Sequence, residues 1–399
     1  MKKFAYVSLL IIAAAACVKP YNPPVTTGKG SYLVVEGTIN AGPDSTTITL
    51  SRTVNVLSAN TANPVLQAIV AVVSDRGVSF PLTETTNGNY ISPGLNLDVT
   101  RQYRLSIKTA NNEQYQSDLV PVVVTPPIDS IGYNIVNDPV PGIQIYVNAH
   151  DPANTTKYFR WDYSETWEFH PKFISQYITN GTAIVLRTQA QDVSTCFGSD
   201  VSSDIVLGST AKLQQDVLYQ SPISFITSTS EKIEDEYSIM LHQYALTADA
   251  YNFWVGVRTN TEQLGSIFDA QPSQITGNIH CISNPSESVI GYVSACTASS
   301  KRIFISNSKL PLWVPTYPYS CNLDSELYCA GMACINQVAQ NLIPLNSALI
   351  PAGPICPCPH PILVNGILVT PPPAGYTAST LECVDCSIRG SKIPPPFWH

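Results

Sequence analysis

The residues in this sequence that are most clearly able to react or to bind a metal are its cysteines, 11 in a chain of 399 residues. Near the C-terminus, Cys383 and Cys386 form a C-x-x-C pair within the stretch ECVDCSIRG. Such a pair can bind zinc, exchange thiols or form structural disulfides. The choice depends on whether the compartment is oxidising, so the deciding information lies at the opposite end of the chain.

The N-terminus predicts export and attachment to a membrane. A basic start precedes a short apolar run and then small residues, an order typical of a secretory signal peptide. The apolar run is shorter than the roughly 20 residues that a membrane-spanning helix needs. It ends at Cys17 in an arrangement similar to the lipobox of bacterial lipoproteins, whose cysteine is acylated after cleavage; an ordinary signal with an incidental cysteine is the alternative. We therefore expect a signal peptide over residues 1–16, a lipidated Cys17 and a tether over residues 17–30.

Export favours disulfides for the other cysteines. Setting Cys17 aside leaves ten of the 11 cysteines, an even number that is typical of a disulfide framework in an oxidising compartment. Spacing alone leaves their pairing open, including whether Cys383 bonds to Cys386. The ten disulfide candidates are Cys196, Cys281, Cys296, Cys321, Cys329, Cys334, Cys356, Cys358, Cys383 and Cys386.

Two other chemistries are open to the C-terminal cysteines. Cys356, Cys358 and His360 lie in the stretch CPCPH and, with Cys383 and Cys386, offer enough ligands for a tetrahedral zinc site. The C-x-C spacing, however, matches the usual spacing of zinc ligands poorly. Thiol exchange would need the C-x-x-C pair in a βαβ unit, which the Pro-rich surroundings do not predict. We therefore expect no metal, no cofactor and a structural role for the pair.

Composition limits the classes of partner. The formal net charge is −8, and only 13% of the residues are charged. Nucleic-acid binding relies on clustered basic residues, so an acidic chain with 21 lysines and arginines is a poor candidate for it. We expect no nucleic-acid partner.

The pattern along the chain predicts a mainly all-β protein in three parts. Short runs such as SYLVVEGTI, TTITLS and QYRLSIKT, separated by turn residues, predict an Ig-like or prealbumin-like β-sandwich over residues 31–125. A Thr-Pro-Pro linker leads to a second β-rich domain over residues 128–310, with one helix near residues 248–264. Residues 311–399 are rich in proline and cysteine, so we expect disulfides to order this segment.

The stretch YFRWDYSETWEF in the second domain alternates as a half-buried strand does. Arg160 and Asp162 lie on its polar face. The aromatic face favours a place in the core over a platform for stacking sugars; it comprises Phe159, Trp161, Tyr163, Trp167 and Phe169.

The predicted helix has an N-cap at Thr247. We expect it to cover a sheet with one face, which comprises Tyr251, Trp254, Val255 and Arg258. After the helix, the stretches GNIHCIS and SVIGYVSA predict a hairpin around Asn284-Pro285.

Candidate catalytic groups are few. The sequence lacks a G-x-S-x-G elbow, a Walker A loop, an H-E-x-x-H pair and a G-x-G-x-x-G fingerprint. His242 lies in a strand-like stretch, where packing is favoured over a role as a general base. An acidic cluster could bind calcium or act as glycosidase carboxylates, although a solvated loop is the simpler interpretation; it comprises Glu231, Glu234, Asp235 and Glu236. We therefore expect a protein that is not an enzyme.

Four stretches together resemble one family. They are LVVEGTI at Leu33–Ile39, NFWVGVRTNTEQLGSIFDAQPSQITGNI at Asn252–Ile279, SKRIFIS at Ser300–Ser306 and CVDCSIRGSKIPPPFW at Cys383–Trp398. They look like Bacteroidota outer-membrane lipoproteins catalogued as domain of unknown function 4249. The resemblance implies a two-part β architecture, an outer-membrane location on either face, and TonB-dependent transporters as companions. It implies no catalytic or ligand-binding residues.

Anchor and resemblance together predict an outer-membrane lipoprotein that acts as an accessory or ligand-binding partner of a TonB-dependent transporter. A structural or assembly lipoprotein of the envelope and a hydrolase with a dispersed site are the alternatives. Aromatic residues near the C-terminus could form a recognition face or could pack the Pro-rich tail onto the second domain; they are Tyr317, Tyr319, Phe397 and Trp398.

Overall fold

The computed structural model describes residues 31–54, 63–179, 184–262, 275–317, 319–322, 324–327, 350–354, 362–364, 367–369 and 375–398. These residues form a mainly β structure. The first strands are β1 (Leu33–Gly37), β2 (Ile39–Asn40), β3 (Thr46–Arg52), β4 (Ile69–Ser74), β5 (Ser79–Glu84), β6 (Asn89–Ser92), β7 (Gln102–Lys108), β8 (Gln114–Ser117) and β9 (Val120–Val123). The middle of the chain contains β10 (Ile128–Val136), β11 (Gly142–His150), β12 (Tyr158–Phe169), β13 (Tyr177–Thr179), β14 (Ile184–Leu186), β15 (Cys196–Val201), β16 (Val206–Ser209), β17 (Val217–Thr227), β18 (Glu236–Leu246) and helix α1 (Ala248–Glu262). The remaining elements are β19 (Ile279–Cys281), β20 (Val289–Ile290), β21 (Ala295–Cys296), β22 (Ala298–Ser306), β23 (Asp324–Leu327), β24 (Ile350–Pro354), β25 (Ile362–Val364), β26 (Ile367–Val369), β27 (Gly375–Ser379) and the short helix α2 (Leu381–Val384).

The first β-sandwich is built from one curled sheet. Its hydrogen-bonded order is β20-β1-β3-β6-β5-β4-β7-β9-β21-β2, with β8 pairing to β7 and β19 to β8. Because β1 continues almost directly into β2, the order starts and ends with neighbouring parts of the chain, and the sheet curls around one core. Period-two alternation places Tyr103, Leu105 and Ile107 of β7 inside that core. The N-terminal β-sandwich predicted from the sequence is confirmed.

A segment from much later in the chain completes this sandwich. β19 pairs with β8, β20 pairs in parallel with β1, and β21 lies between β2 and β9. Ile279, Cys281, Val293 and Ala295 are buried in the first core. The predicted hairpin is therefore wrong, because its two halves pair with β8 and β1 instead of with each other. A strand pattern shows which face is buried but not which distant strand lies alongside it.

The second β-sandwich packs two sheets over a separate core. One sheet has the order β10-β11-β17, and the other has the order β15-β12-β18-β22, with β16 also paired to β12. The interpretation of the aromatic row as core is correct: Phe159, Trp161, Tyr163 and Phe169 are buried, and Trp167 is partly buried. Glu165 on the same strand is 4% exposed, and it accepts hydrogen bonds from Lys232 and Tyr237. A buried carboxylate is tolerated there because both partners compensate its lost hydration.

Helix α1 lies on the outer side of this second sandwich, against β12, β16 and β18. The backbone N–H of Ala250 donates to the Thr247 hydroxyl at 3.2 Å, so the predicted N-cap is present. The buried residues of the helix are Ala250 and Phe253, whereas the predicted covering face is only half-buried. Phe253 is buried because its ring also contacts Tyr292, which lies in the segment after the helix. The two ring centroids are 5.2 Å apart.

The C-terminal segment packs against the second sandwich and is joined to it covalently. The Cys196–Cys386 disulfide ties it to the start of β15, and Phe197 of that strand pairs with Ser391. A second disulfide joins Cys321 to Cys383. β23, β27 and β24 form a small sheet here, which the sequence pattern did not predict. In the part of the chain that the structure describes, no helix has the length and apolarity to cross a membrane.

Candidate functional site

A cleft of about 400 Å³ lies between the two sandwiches. Its volume falls in the range of small-molecule sites, about 300–1,000 Å³. One wall comes from β1, β2 and β3 of the first sandwich, and the other comes from the outer face of β12 and β18 with helix α1. A groove at a domain boundary is a common place for a binding site.

The first wall depends on a sharp bend in the chain at Gly37. The residue has φ of +136°, and a Cβ at this position would overlap the carbonyl oxygen of Thr47 on the neighbouring strand. The bend ends β1 and starts β2, and it leaves the side chains of Glu36 and Thr47 exposed at the cleft. Only glycine combines this backbone angle with such a close approach.

The second wall is centred on Arg160. Because Phe159 and Trp161 point into the core, Arg160 and Asp162 point outward from β12. The guanidinium of Arg160 lies 4.2 Å from the ring centroid of Trp254 and 5.9 Å from that of Tyr244. Its Nη2 is 3.8 Å from Oδ2 of Asp162. A guanidinium placed over an aromatic ring is held by a cation–π contact, and its five N–H groups are donors that suit an anionic or hydroxyl-rich ligand.

Two further groups of the cleft are held in their protonated forms. Burial and the nearby charge of Asp162 raise the pKa of the Tyr244 hydroxyl above its ordinary value. Burial raises the pKa of the Cys296 thiol to about 12. A thiol reacts as a nucleophile only when deprotonated, so Cys296 is poorly suited to covalent catalysis. Tyr244 keeps its proton as well and donates it in a hydrogen bond to Asp162.

His242 lies beside the cleft and is not a packed core residue. It faces outward on β18 opposite Asp162, and its Nδ1 lies 2.9 Å from Oδ1 of that carboxylate. The pair is about one-third exposed on both sides. The sequence favoured packing for His242 over a role as a general base; the structure places it half-buried and paired with Asp162, a partner that emerges only once the two strands are paired.

A second constellation lies at the far end of β12, where Glu168, His170 and Asp235 come together. Their ligand atoms all lie within 4.8 Å of one another. Nε2 of His170 is 3.1 Å from Oδ2 of Asp235, and Nδ1 is 2.6 Å from the carbonyl oxygen of Ser194. Burial and the charge of Asp235 raise the pKa of Glu168. The pKa of His170 is also raised, because its hydrogen bonds to Ser194 and Asp235 outweigh the opposing effect of burial.

The acidic cluster named from the sequence is more than a solvated loop. Glu231 forms an ion pair with Arg389 and accepts a hydrogen bond from Nε1 of Trp167 at 3.3 Å. Glu234 accepts from the backbone N–H of His170 at 3.2 Å and from the Tyr317 hydroxyl at 2.9 Å. Asp235 pairs with His170, as described above. Glu231 and Glu234 thus connect the C-terminal segment to the edge of the second sandwich.

Three of the four aromatic candidates for recognition contact the second sandwich, and the fourth, Tyr319, contacts Arg389 of the C-terminal segment. Tyr317 donates to Glu234, and Tyr319 lies 5.3 Å from the guanidinium of Arg389. The Phe397 ring covers the guanidinium of Arg302 at 3.6 Å. Trp398 contacts Phe197 and Phe304, with ring centroids 5.2 and 5.5 Å away. All four are half-buried, so packing of the tail explains them and a free recognition face does not.

The cysteines separate into three groups. Cys196, Cys321, Cys383 and Cys386 form the two disulfides, so each cysteine of the C-x-x-C pair reaches a distant partner and neither is available to zinc. Cys281 and Cys296 are buried free thiols, and the prediction that they form disulfides is wrong. The others lie outside the described residues, as do Cys17 and His360; they are Cys329, Cys334, Cys356 and Cys358.

Sequence reasoning did not single out the residues of the cleft. The signal that could have found them is the polar face of YFRWDYSETWEF, which places Arg160 and Asp162 side by side. Trp254 of the helix was assigned to a covering face, which is where it meets Arg160. The pattern within this one strand carries no information about the other wall, which comes from the first sandwich.

Comparison with known families adds one finding. A model of the family described as "Domain of unknown function (DUF4249)" matches residues 18–302. The match covers most of the chain, so the protein belongs to this family, and the family predicted from the sequence is confirmed. The match ends before the terminal stretch CVDCSIRGSKIPPPFW, which is one of the four stretches that carry the resemblance. No curated protein matches the chain.

Proposed function

We propose that this member of the DUF4249 family is a lipid-anchored accessory protein of the outer membrane. In this proposal it is not an enzyme: it binds a polar small molecule in the cleft between its sandwiches and acts beside a TonB-dependent transporter. The observation that carries the binding role is the cleft itself, with Arg160 stacked against Trp254 and carboxylates on both walls.

The chemistry of the cleft suits a small ligand rich in hydroxyl or charged groups. Arg160 supplies several N–H donors, and Glu36 and Asp162 supply acceptors from opposite walls. Tyr244 and Trp254 add aromatic surface against which the apolar face of such a ligand can pack. A site between two bodies also couples ligand binding to their relative position, which is useful in a protein that passes a ligand on.

Binding is favoured over catalysis because the groups of the cleft are poor reactants. The Cys296 thiol, with a pKa of about 12, stays protonated at neutral pH. The pKa of Tyr244 is raised for the same physical reason, burial. The association with the membrane is supported by the lipobox-like sequence at Cys17, where several acyl chains would give stable anchoring.

The test combines co-purification with native mass spectrometry. A tag is best placed within residues 18–30, because Trp398 is packed against the second sandwich and a C-terminal tag would disturb it. Membranes are extracted in mild detergent, the co-eluting proteins are identified, and the intact protein is weighed before and after denaturation. We expect a transporter barrel in stoichiometric amount and a small-molecule mass that denaturation releases.

Arg160→Met tests whether the retained molecule occupies the cleft. The matched control is Arg101→Met, since Arg101 also pairs with an aspartate, Asp75, but lies on the surface of the first sandwich. We expect Arg160→Met to lose the small-molecule mass and Arg101→Met to keep it, with the barrel present in both. If both variants keep the small-molecule mass, and envelope-assembly proteins co-elute in place of a barrel, the structural alternative replaces this proposal.

A further inference from the structure

The three residues at the end of β12 have the composition of a transition-metal site. Histidine nitrogen and carboxylate oxygen are common ligands of Zn²⁺ and related cations. In a tetrahedral zinc site, ligand atoms at about 2.0–2.2 Å from the metal lie roughly 3.3–3.6 Å from one another. The Nε2–Oδ2 distance of 3.1 Å between His170 and Asp235 is already close to that spacing. Glu168 completes the group within 4.8 Å, a gap that a side-chain rotation can close.

The fold brings these residues together through strand pairing. β12 and β18 are antiparallel, with Trp167 opposite Tyr237, so the end of β12 lies next to the start of β18. Glu168 lies in β12, His170 directly follows that strand, and Asp235 directly precedes β18. One ligand is thus fixed within the sheet and the other two lie one residue beyond it, and a site close to strands is better positioned than a site on loops.

The hydrogen bonding of His170 is arranged as in metal-binding histidines. Its Nδ1 lies 2.6 Å from the carbonyl oxygen of Ser194, which can only accept, so Nδ1 carries the proton. Nε2 faces the Asp235 carboxylate, which also only accepts, so without a cation Nε2 donates its proton there; a divalent cation would replace that proton between the two atoms. Metal-ligating histidines characteristically donate their other N–H to a carbonyl or carboxylate, which orients the ring.

The surroundings leave a cation both access and compensating charge. The side chains of His170 and Asp235 are 34% and 50% exposed. Glu234 lies close by, with its Oε2 on the backbone N–H of His170. Trp398 forms a side-chain hydrogen bond with Glu168, and a carboxylate has a second oxygen that remains for a metal.

The other described histidines distinguish this site from an ordinary ion pair. His150 pairs with Asp129, His242 with Asp162 and His280 with Asp118. Among the described residues, only the His170 pair has a third His, Cys, Asp or Glu ligand within metal-binding distance.

We infer that Glu168, His170 and Asp235 form a binding site for a divalent transition cation such as Zn²⁺, with the fourth position open to water. The site goes beyond the proposed function, because it lies at the other end of β12 from the cleft. A cation there would join the end of β12 to the start of β18 beside the C-terminal tail.

The test is isothermal titration calorimetry of the full mature protein, disulfides intact, with zinc chloride alone. We expect one zinc ion to bind with an affinity that falls about tenfold or more in His170→Gln. His280→Gln is the matched control, because it removes a histidine at the same 3.1 Å from an aspartate where no third ligand is present among the described residues. Zinc held by cysteines elsewhere would persist equally in both variants.

Titration with Co²⁺ provides a second measurement, because its visible absorption reports ligands that are directly bound. We expect Glu168→Gln, which keeps the size of the side chain, to change that spectrum. This variant tests the inference even if circular dichroism shows that His170→Gln does not fold. The inference is overturned if the wild type binds no zinc, or if His170→Gln or Glu168→Gln binds it as the wild type does, which would indicate an adventitious ion only.

Discussion

The two sandwiches of this protein are both completed by a segment from later in the chain, but by different physical means. The first receives β19, β20 and β21, which pair with its strand edges and bury apolar side chains such as Ile279 and Val293. The second receives the C-terminal segment, which is held by the Cys196–Cys386 disulfide and by the Arg389–Glu231 ion pair.

The difference shows how the composition of a segment selects its mode of attachment. The segment around Ile279 and Val293 can bury enough apolar surface to stay in place by hydrophobic burial, at about 25 cal/mol per Å². The C-terminal segment is rich in proline, which removes backbone donors and limits regular pairing. Its attachment therefore relies on the Cys196–Cys386 disulfide, the Arg389–Glu231 ion pair and cation–π contacts such as that of Phe397 with Arg302.

The largest effect is expected for Ile279→Ala in the first sandwich. Ile279 is only 4% exposed, and its strand reaches the first core by pairing with a strand far away in the chain. Truncation to alanine should leave a cavity in this core and lower the free energy of unfolding by about 2–5 kcal/mol. Denaturant titration measures this loss. The control is Ile282→Ala, three residues further on and 52% exposed, where the change should stay within about 0.5 kcal/mol. Equal effects at the two positions would show that the segment is not part of the first core.

The next effect is expected for Cys386→Ala at the attachment of the second sandwich. The bridge to Cys196 spans 190 residues, and removing it should lower stability by about 2–4 kcal/mol and expose the tail to proteases. Cys196→Ala should have the same effect, and the double variant should cost little more than either single one. Hydrogen exchange in β7 should not change, because the first sandwich holds no bridge among its described residues.

Peptide mapping without reduction checks the pairing directly. It should link Cys196 to Cys386 and Cys321 to Cys383, and Cys281 and Cys296 should react with a thiol reagent only after unfolding. A link between Cys383 and Cys386 would show that no disulfide attaches the C-terminal segment to the second sandwich through Cys386.

The smallest effect concerns polar contacts in the loop after β11. Asp151 accepts hydrogen bonds from the backbone N–H groups of Ala153, Thr155 and Thr156, which lower its pKa to about 2 although burial opposes the shift. Asp151→Asn should therefore lower the free energy of unfolding by about 1 kcal/mol at neutral pH. Asp44→Asn, on an exposed side chain, is the control.

The sign of the pH dependence follows from the lowered pKa. The unfolded carboxyl group binds a proton near pH 4 and the folded one only near pH 2, so its stabilisation is present above about pH 4 and is lost as the pH falls toward about 2. Urea titrations at several pH values should show the difference between wild type and Asp151→Asn shrinking over that window. A difference that does not depend on pH would rule out the carboxylate as its source.

Local patterns predicted much of the fold but little of the sites. Period-two alternation identified β12 and its buried aromatic face, and Thr247 marked the start of the helix, because these signals extend over a few neighbouring residues. The free thiols of Cys281 and Cys296 were missed, since counting cysteines assumes that all of them meet partners. Both lie on short strands of the first sandwich, buried away from the disulfides of the tail.

By itself, the sequence determined the class of the protein: mainly β, with an N-terminal sandwich, a second β-rich domain with one helix, and a C-terminal segment ordered by disulfides. Those properties follow from composition and from patterns within one strand or one helix. Tertiary structure alone decided which strands close the first sandwich, which cysteines pair, and that Glu36 faces Arg160 across a cleft while His170 meets Asp235. The physical reason is that each of these contacts joins residues far apart in the chain, and their free energy depends on the packing of whole sheets.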